Sequence, residues 1–453
     1  SRASVRPRSR LGPVTAASRP RRAFRPGRAT LVLLVCLPLG ASKARLEPVP
    51  PAPVTSHTIP GNPSTSRAGG GPVVRIGVAL DRQRIALSSP GGLRIEDALT
   101  GQPAGEVEPG GTLVASADGS ALLLEGDLSD TPTGVPSVRV RPGRTDEAVF
   151  VAGRPYRGSA ELRVANDGRV SAINVLPLED YLLGVVPLEI GPREPDELAA
   201  VEAQAVAART YAVAQLGGQL DQGFDLFGSV DDQAYGGMSA ERDESTLAVR
   251  RTAGQILLFD GRPIRAYYHS TCGGRTAAVE EVMDRPSAPY LQAVADRSPD
   301  GTDYCAASPR YRWSVVWSPT DLDSVSRAGL AAHFRVSSRE LGRIEGLEVV
   351  ERTPSGRVKD LAFLGPGVEL VLSRLDIRRA LPHDGRILNS TDFSVVEHAD
   401  GLVELQGRGY GHGAGMCQWG AIGRARAGQS YEQILHTYYP GAVLVNAYEG
   451  EGG

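Results

Sequence analysis

Two segments of this chain, Leu178–Gly217 and Gly407–Gly441, carry side chains that could do acid–base chemistry on a polar polymer. The first contains Glu189, whose neighbours Val185, Val186, Pro187, Leu188 and Ile190 are apolar. Apolar surroundings disfavour the ionised form and raise the pKa of a carboxyl group, as a general acid requires. A helix N-terminus close to Glu189 would instead lower its pKa. The carboxyl group is therefore a candidate acid, with a helix cap or an ion-pair partner as the alternatives.

The second segment begins with a glycine-rich loop, Gly407–Gly415, in which five of nine residues are glycine. Glycine lets a backbone come close to a ligand. Tyr410 and His412 lie within the loop, and Gln418 and Trp419 follow it. The Gly-Lys-Ser/Thr sequence of a phosphate loop is missing here. We predict that these polar and aromatic side chains line a cleft, with core packing as the alternative for Trp419.

A third candidate group is His269-Ser270-Thr271, which follows a predicted hairpin over residues 255–269 with a turn at Asp260-Gly261. Serine and histidine that are adjacent in sequence do not make a catalytic triad, which needs separated residues that converge in space. We expect these three side chains to act as hydrogen-bonding groups that line the cleft.

Cys272, Cys305 and Cys417 lie beyond the N-terminal region. In an exported protein a disulfide is expected, and Cys272–Cys305 is the favoured pair because both residues lie in loop-rich sequence. Free thiols are one alternative, and a zinc site at His269 and Cys272 is another. The spacing of that histidine and cysteine alone is a weak zinc signal, so we predict no metal and no cofactor.

The N-terminus predicts export. Residues 1–28 hold nine arginines and no acidic residue, and an apolar run over 31–39 precedes small residues near 42–44, as in a signal peptide over 1–44. Residues 45–71 have the composition of a disordered Pro/Ser/Gly linker. Without residues 1–44, which contain ten Lys and Arg, the net charge changes from −3 to −13. An acidic body argues against nucleic acid as a partner.

The rest of the chain predicts an α+β protein that is rich in strands. Short alternating runs indicate a small β domain over 72–150. An alanine-rich helix begins at Pro195 and ends at Gly217, and another helix is expected near 430–438. Residues 313–396 read as an inserted β lobe with one short helix at 337–343. We expect the β-rich catalytic domain, residues 155–447, to be built around the alanine-rich helix.

Four segments together resemble the stage II sporulation protein D family, which includes the amidase-enhancer proteins of bacterial cell walls. They are VLPLEDYLLGVVPLE, EAQAVAARTYA, YYHSTCGG and GRGYGHGAGMCQWGA. They occur in the family's order, and the resemblance covers about residues 155–445. This family commonly has serine where the chain has Cys417, which argues against a catalytic thiol.

The resemblance implies a secreted or periplasmic lytic transglycosylase of peptidoglycan. Such an enzyme cleaves the bond between N-acetylmuramic acid and N-acetylglucosamine and leaves a 1,6-anhydro end, often on strands stripped of stem peptides. Glu189 would be the single general acid and base. The implied cleft residues are Gln204, Arg209, Tyr211, His269, Ser270, Thr271, His412, Gln418 and Trp419, and we add Tyr410 as a sugar-stacking ring. The alternative is a non-catalytic peptidoglycan-binding protein that stimulates an amidase.

Overall fold

The computed structural model describes residues 71–128, 135–165 and 167–448. The predicted signal peptide and nearly all of the predicted linker lie outside the described residues. Strands outnumber helices in the described part of the chain, which confirms the prediction of a β-rich α+β fold. Among the described helices, none combines the length and the apolar character needed to span a bilayer.

The N-terminal third of the described chain forms two packed sheets. Its strands are β1 Val73–Arg82, β2 Ile85–Ser88, β3 Leu93–Asp97, β4 Pro103–Val107, β5 Thr112–Asp118, β6 Ala121–Gly126, β7 Ser137–Pro142, β8 Val149–Val151, β9 Arg154–Tyr156, β10 Ser159–Val164 and β11 Val170–Pro177. One sheet contains the strand order β1-β11-β10-β7-β3-β4, and the other has the order β6-β5-β2-β8-β9.

The boundary predicted between residues 150 and 155 lies inside this two-sheet structure. β1 pairs antiparallel with β11, where Val74 faces Leu176, and β7 pairs with β10, where Val140 faces Ala160. One hydrophobic core runs from Val74 through the following helices to Ala442. Residues 72–150 therefore share a sheet and a core with the chain that follows them, rather than forming an independent β domain.

Next come the helices that carry the candidate acid. They are α1 Leu178–Ile190, a 3-10 turn at Pro195–Glu197 and α2 Leu198–Ala214. Beyond them, β12 Leu226–Phe227 joins the edge of the larger sheet beside β1, and α3 Asp243–Arg251 follows. As predicted, α2 is slim and almost wholly buried, because its alanines allow close packing. The apolar segment around Glu189 is itself a helix, which the sequence analysis did not predict.

The predicted hairpin consists of β13 Gln255–Phe259 and β14 Arg262–Pro263, with Leu258 opposite Pro263. It is followed by β15 Tyr268–His269 and α4 Val279–Val282.

Residues 312–408 form the inserted lobe. Its elements are β16 Arg312–Trp317, α5 Pro319–Phe334, β17 Gly346–Arg352, β18 Val358–Gly365, β19 Val368–Ser373, α6 Leu375–Ala380, β20 Phe393–Glu397 and β21 Val403–Arg408. The lobe has its own hydrophobic core, from Val315 to Leu405. It extends past the predicted end at 396, because β21 pairs between β16 and β20. The helix predicted at 337–343 was wrong: the long helix of this lobe is α5, which Ser318 caps.

The chain then returns to the first core through β22 Met416–Cys417, α7 Gln418–Arg426, α8 Tyr431–Tyr438 and β23 Val443–Asn446. The helix expected near 430–438 is α8. β23 pairs with β13, and β22 pairs in parallel with β15. The parallel pair joins segments almost 150 residues apart, with His269 opposite Cys417. It brings the second and third candidate groups of the sequence together.

Candidate functional site

Glu189 lies in the last turn of α1, where the helix passes from the core to the surface. Its neighbours Val186 and Ile190 are buried, Leu188 is exposed, and Glu189 is half-buried. The carboxylate Oε1 accepts a hydrogen bond from the backbone N–H of Ala234, at 2.9 Å. The Tyr268 hydroxyl and the Gln418 amide lie beside this carboxyl group and favour its ionised form. The acid of the first segment thus lies beside the second and third.

Burial raises the pKa of the Glu189 carboxyl, whereas the hydrogen bonds from Ala234, Tyr268 and Gln418 lower it. The net pKa is raised, so desolvation outweighs the three hydrogen bonds. A raised pKa keeps the proton on the acid at higher pH, which suits a group that must donate it.

A relay of buried hydrogen bonds orients Tyr268 toward Glu189. The Tyr181 hydroxyl donates to Gln233 Oε1 at 3.2 Å, and Gln233 Nε2 donates to the Tyr268 oxygen at 2.9 Å. Because the Tyr268 oxygen accepts that bond, its own hydrogen is free to donate to Glu189. These hydrogen bonds link the position of Glu189 to Tyr181 on the buried side of α1.

Gln418, the first residue of α7, links the acid to α2. Its Nε2 donates to Gln204 Oε1 at 3.3 Å. Gln204 is fully buried, and its Nε2 has no hydrogen-bond partner among the described residues. This N–H group is closed off from solvent, so it can donate to a ligand only if binding uncovers it. The structure therefore brings together the predicted residues Glu189, Gln204 and Gln418.

The glycine-rich loop fits closely against β15. A Cβ atom on Gly415, whose φ is +69°, would lie 1.9 Å from the carbonyl oxygen of Tyr267. A Cβ atom on Gly411 would lie 2.8 Å from the Cβ atom of His269. Only glycine permits this approach at both positions. The loop is thus packed on protein backbone, and its glycines position the residues that follow.

His269 and His412 are neutral supports of this packing. The His412 Nε2–H donates to the Tyr268 carbonyl at 2.9 Å, and His412 Nδ1 accepts from the Ala414 N–H at 3.1 Å. The His269 Nδ1–H donates to the Ala414 carbonyl at 3.1 Å. Burial lowers the pKa of His412 to about 3 and also lowers that of His269. Neither imidazole is protonated at neutral pH, so neither supplies a proton to a substrate.

Ser270 and Thr271 continue this backbone framework. Thr271 exchanges two backbone hydrogen bonds with Tyr410, and the Ser270 carbonyl accepts from the Trp419 N–H at 3.0 Å. The Thr271 hydroxyl is buried against the Ser308 hydroxyl at 2.7 Å, whereas Ser270 is half-buried. Thr271 therefore acts inside the framework, and Ser270 remains the accessible hydroxyl group of the pair.

Tyr410 and Trp419 are both half-buried and each has an arginine over its ring. The guanidinium of Arg310 lies 3.9 Å from the centre of the Tyr410 ring, and that of Arg193 lies 5.3 Å from the centre of the Trp419 ring. Partly exposed aromatic faces of this kind can stack on sugar rings, and the arginines add hydrogen-bond donors beside them.

Arg209 does not lie in the cleft that the family resemblance implies. Its side chain is fully buried, and it forms a bidentate ion pair with Glu179, at 2.7 Å to each oxygen. It also donates to the carbonyl groups of Val249 and Gln255. With these partners Arg209 fastens α2 to α1 and α3, so it is a structural residue rather than a substrate ligand.

Tyr211 lies between a buried polar contact on one side and the aromatic side chains behind the glycine-rich loop on the other. Its hydroxyl donates to Asp232 Oδ1 at 2.8 Å, and its ring lies 6.0 Å from that of Tyr267, which in turn contacts His412 edge-on. Only a small edge of Tyr211 is exposed. It supports the aromatic wall behind the loop instead of presenting a free hydroxyl group.

Sequence reasoning missed Tyr268, Gln233 and Ala234, which surround Glu189. Tyr268 directly precedes His269 in the quoted segment YYHSTCGG, so its position was visible although its role was not. Gln233 and Ala234 lie in a segment without regular secondary structure, and no pattern marks them.

The cysteines are not bridged. Cys272 Sγ and Cys305 Sγ are 3.6 Å apart, and both residues are free thiols in the structure. The alternative of a zinc site at His269 and Cys272 does not match the possible metal ligands that the structure groups together, which include Cys272 but not His269. Cys272 instead lies in a buried group with Asp296, Cys305 and Cys417.

Comparison with known proteins matches two parts of the chain to family models. The family model for a stage II sporulation protein matches residues 166–259, which contain α1 and α2, and a domain of unknown function matches residues 300–415. An uncharacterised protein of Brachyspira hyodysenteriae is 31% identical over 67% of this chain and 75% of its own length.

Two relatives from Bacillus subtilis carry descriptive names. Its stage II sporulation protein D is 30% identical over 61% of this chain and 76% of its own length. Its amidase enhancer is 28% identical over 68% of this chain but only 47% of its own length. These matches identify the chain as a member of the stage II sporulation protein D family.

Proposed function

We propose that this protein is a lytic transglycosylase that cleaves the glycan strands of peptidoglycan, with Glu189 as its single general acid and base. The observation that carries the proposal is the half-buried carboxyl group of Glu189, whose pKa is raised by burial among hydrogen-bonding and aromatic side chains. Membership of the family supports a role at the cell wall.

One carboxyl group is enough for this reaction. Glu189 protonates the oxygen that links N-acetylmuramic acid to N-acetylglucosamine, and the bond from C1 to that oxygen breaks. The C6 hydroxyl of the same muramic residue then attacks C1 and closes the 1,6-anhydro ring, while its proton passes to Glu189. Because the nucleophile belongs to the substrate, it is already positioned, and the acid is regenerated within one turnover.

The surroundings of Glu189 support a one-acid mechanism over a two-acid hydrolysis. Hydrolytic glycosidases use a second carboxylate as nucleophile or base. Asp232, two residues before Ala234, accepts hydrogen bonds from the Tyr211 hydroxyl, the Gln215 amide and the Phe227 N–H. Both of its oxygens are engaged in holding the loop, so it is poorly suited to activate water.

The polar and aromatic groups beside the acid suit a sugar chain. We assign the Gln204 and Gln418 amides to the N-acetyl and hydroxyl groups of the substrate, which requires that binding uncovers them, because both side chains are buried. Tyr410 and Trp419 stack on sugar faces. Strands stripped of stem peptides are the expected substrate, in the periplasm or outside the cell, and a cell-wall amidase that strips them is the expected partner.

Glu189→Gln tests the proposal. We expect cleavage of purified glycan strands to fall at least about a hundredfold, since a positioned general acid contributes about 10²–10⁴-fold. Glu202→Gln is the matched control, because Glu202 is also a half-buried acid with a raised pKa, but it faces Arg251. Mass spectrometry should find anhydro-ended fragments. Reducing ends would indicate hydrolysis, and equal activity of Glu189→Gln and wild type would refute the role of Glu189.

The second candidate is a non-catalytic amidase enhancer, which the similarity to the Bacillus subtilis amidase enhancer favours. It predicts that wild type and Glu189→Gln stimulate an amidase on whole sacculi to the same extent and that neither yields anhydro ends. An assay that measures peptide release and anhydro ends in the same digest separates the two functions.

A further inference from the structure

Three cysteines and one aspartate meet in the core behind the candidate site. We call Cys272, Asp296, Cys305 and Cys417 the cysteine cluster. All four residues are fully buried, and their sulfur and carboxylate atoms lie within 4.8 Å of one another. They come from the segment just after β15, from the loop over 295–305 and from the last residue of β22. Residues so far apart in sequence converge here without forming a disulfide.

The distances suit a single tetrahedral ion. Cys272 Sγ lies 3.6 Å from Cys305 Sγ and 3.2 Å from Asp296 Oδ2. Tetrahedral zinc with bonds of about 2.3 Å to sulfur and about 2.1 Å to oxygen would separate two sulfurs by about 3.8 Å and a sulfur from an oxygen by about 3.6 Å. These two separations are therefore within a few tenths of an ångström of a tetrahedral site, and the whole cluster, within 4.8 Å, is compact enough to close on one ion with shifts of about 1 Å.

The aspartate is oriented as a metal ligand needs. Its Oδ1 accepts from the Arg424 Nε at 3.1 Å and from the Tyr438 hydroxyl at 2.7 Å, so that Oδ2 is directed at the cysteines. Such outer hydrogen bonds fix the ligands of a metal site and tune its affinity. Arg424 also supplies a positive charge that offsets part of the excess negative charge of three thiolates and a carboxylate around a divalent ion.

Backbone N–H groups support the third sulfur. Cys417 Sγ accepts hydrogen bonds from the N–H of Cys272 and from the N–H of Gly420, both at 3.2 Å. Two N–H donors directed at one sulfur are outer hydrogen bonds of the kind that hold a metal ligand in position. The second of these bonds makes Cys417 the N-cap of α7, so the same sulfur begins the helix that carries Gln418 and Trp419.

We propose that Cys272, Asp296, Cys305 and Cys417 bind one zinc ion that holds the candidate site together. The ion would tie the segment of Thr271 to the start of α7, which positions Gln418 against Glu189. A disulfide between Cys272 and Cys305 accounts for less, because it does not explain why the Asp296 carboxylate is directed at Cys272 or why Cys417 Sγ lies in the same buried group. An iron–sulfur cluster would hold the sulfurs farther apart, since each iron takes its own cysteine.

Metal analysis of the full chain, purified without added chelator, tests the site. We expect about one zinc per wild-type chain and at least a tenfold lower content in Cys305→Ser and in Asp296→Asn. Asp303→Asn is the matched control, because Asp303 is a buried acid of the same loop that pairs with Arg297 and Tyr311. It should retain the zinc. Equal zinc in wild type and Cys305→Ser would overturn the proposal.

A second measurement on wild type covers the case in which the variants do not fold. The chain is reduced, stripped with a chelator and titrated with Co²⁺, whose tetrahedral thiolate complexes give strong sulfur-to-metal absorption. One equivalent of Co²⁺ that Zn²⁺ displaces supports the site. Absence of that absorption, or a Cys272–Cys305 disulfide in the zinc-free protein as isolated, refutes it.

Discussion

Replacing Arg209 with methionine should destabilise the protein without removing a substrate contact. The guanidinium is fully buried, lies 2.7 Å from each carboxylate oxygen of Glu179 and donates to two backbone carbonyls. Methionine has a similar length and helix propensity, so the change removes the charge and the donors while largely preserving the packing of α2. The family resemblance placed Arg209 in the cleft, so the outcome decides between two roles.

The structure sets the size of the effect. Removing one partner of a buried ion pair costs about 3–5 kcal/mol, because the other charge is left uncompensated. Glu179 is 24% exposed and keeps hydrogen bonds from the Tyr448 hydroxyl and the Gly254 N–H. We therefore expect the lower end of that range, about 3 kcal/mol. Arg209→Lys keeps the charge but cannot span both oxygens, so it should lose less, about 1–2 kcal/mol.

Hydrogen exchange of the α2 amides, read by mass spectrometry, measures the free energy of opening of the unit that contains Arg209. Binding to purified glycan strands is measured in parallel at a temperature at which each variant is folded. The expected result is faster exchange in Arg209→Met with unchanged glycan affinity. If Arg209→Met exchanges at the wild-type rate but no longer binds glycan, Arg209 contacts the substrate and our structural assignment is wrong.

Three further predictions concern the acid and the loop. Activity that needs protonated Glu189 should fall as pH rises through its raised pKa. Tyr268→Phe removes a hydrogen bond that favours the ionised form, so the fall should move to higher pH in this variant. An unshifted pH profile would contradict the contact between Tyr268 and Glu189. The pKa of Glu189 is higher in the folded chain than in the unfolded chain. At a pH between these two values, the folded chain keeps a proton that the unfolded chain releases, so the stability of the wild type falls as pH rises across this range. Glu189→Gln lacks this loss, so its gain in melting temperature over wild type should grow as pH rises from the unfolded pKa of about 4.3 through the raised folded pKa; a constant difference would contradict the raised pKa. Gly415→Ala should unfold at markedly lower denaturant concentration than Gly428→Ala, because both have positive φ but only the Cβ atom at 415 meets backbone. Equal midpoints for the two glycine variants would show that the loop can move away from β15.

The sequence alone determined the local elements and the parts of the site that follow one another along the chain. The Asp260-Gly261 turn, the alanine-rich α2 and α8 have short-range signals, and the structure contains all three. The apolar neighbours of Glu189 favoured a raised pKa, but the sequence did not decide between their effect and that of a nearby helix N-terminus, and only the structure gives the raised direction. The four quoted segments indicated the family.

Only the tertiary structure decided which segments meet and which way long side chains point. The alternating pattern of residues 72–150 is the same whether those strands pair among themselves or with β10 and β11, since the partners lie far along the chain. Arg209 faces Glu179 because α1 packs on that side of α2. The sequence of α2 is nearly uniform in alanine, so it does not show which side of the helix contacts α1. The cysteine cluster likewise joins positions up to 145 residues apart. Local sequence carries no information on such distances, because they are set by how the sheets and helices pack.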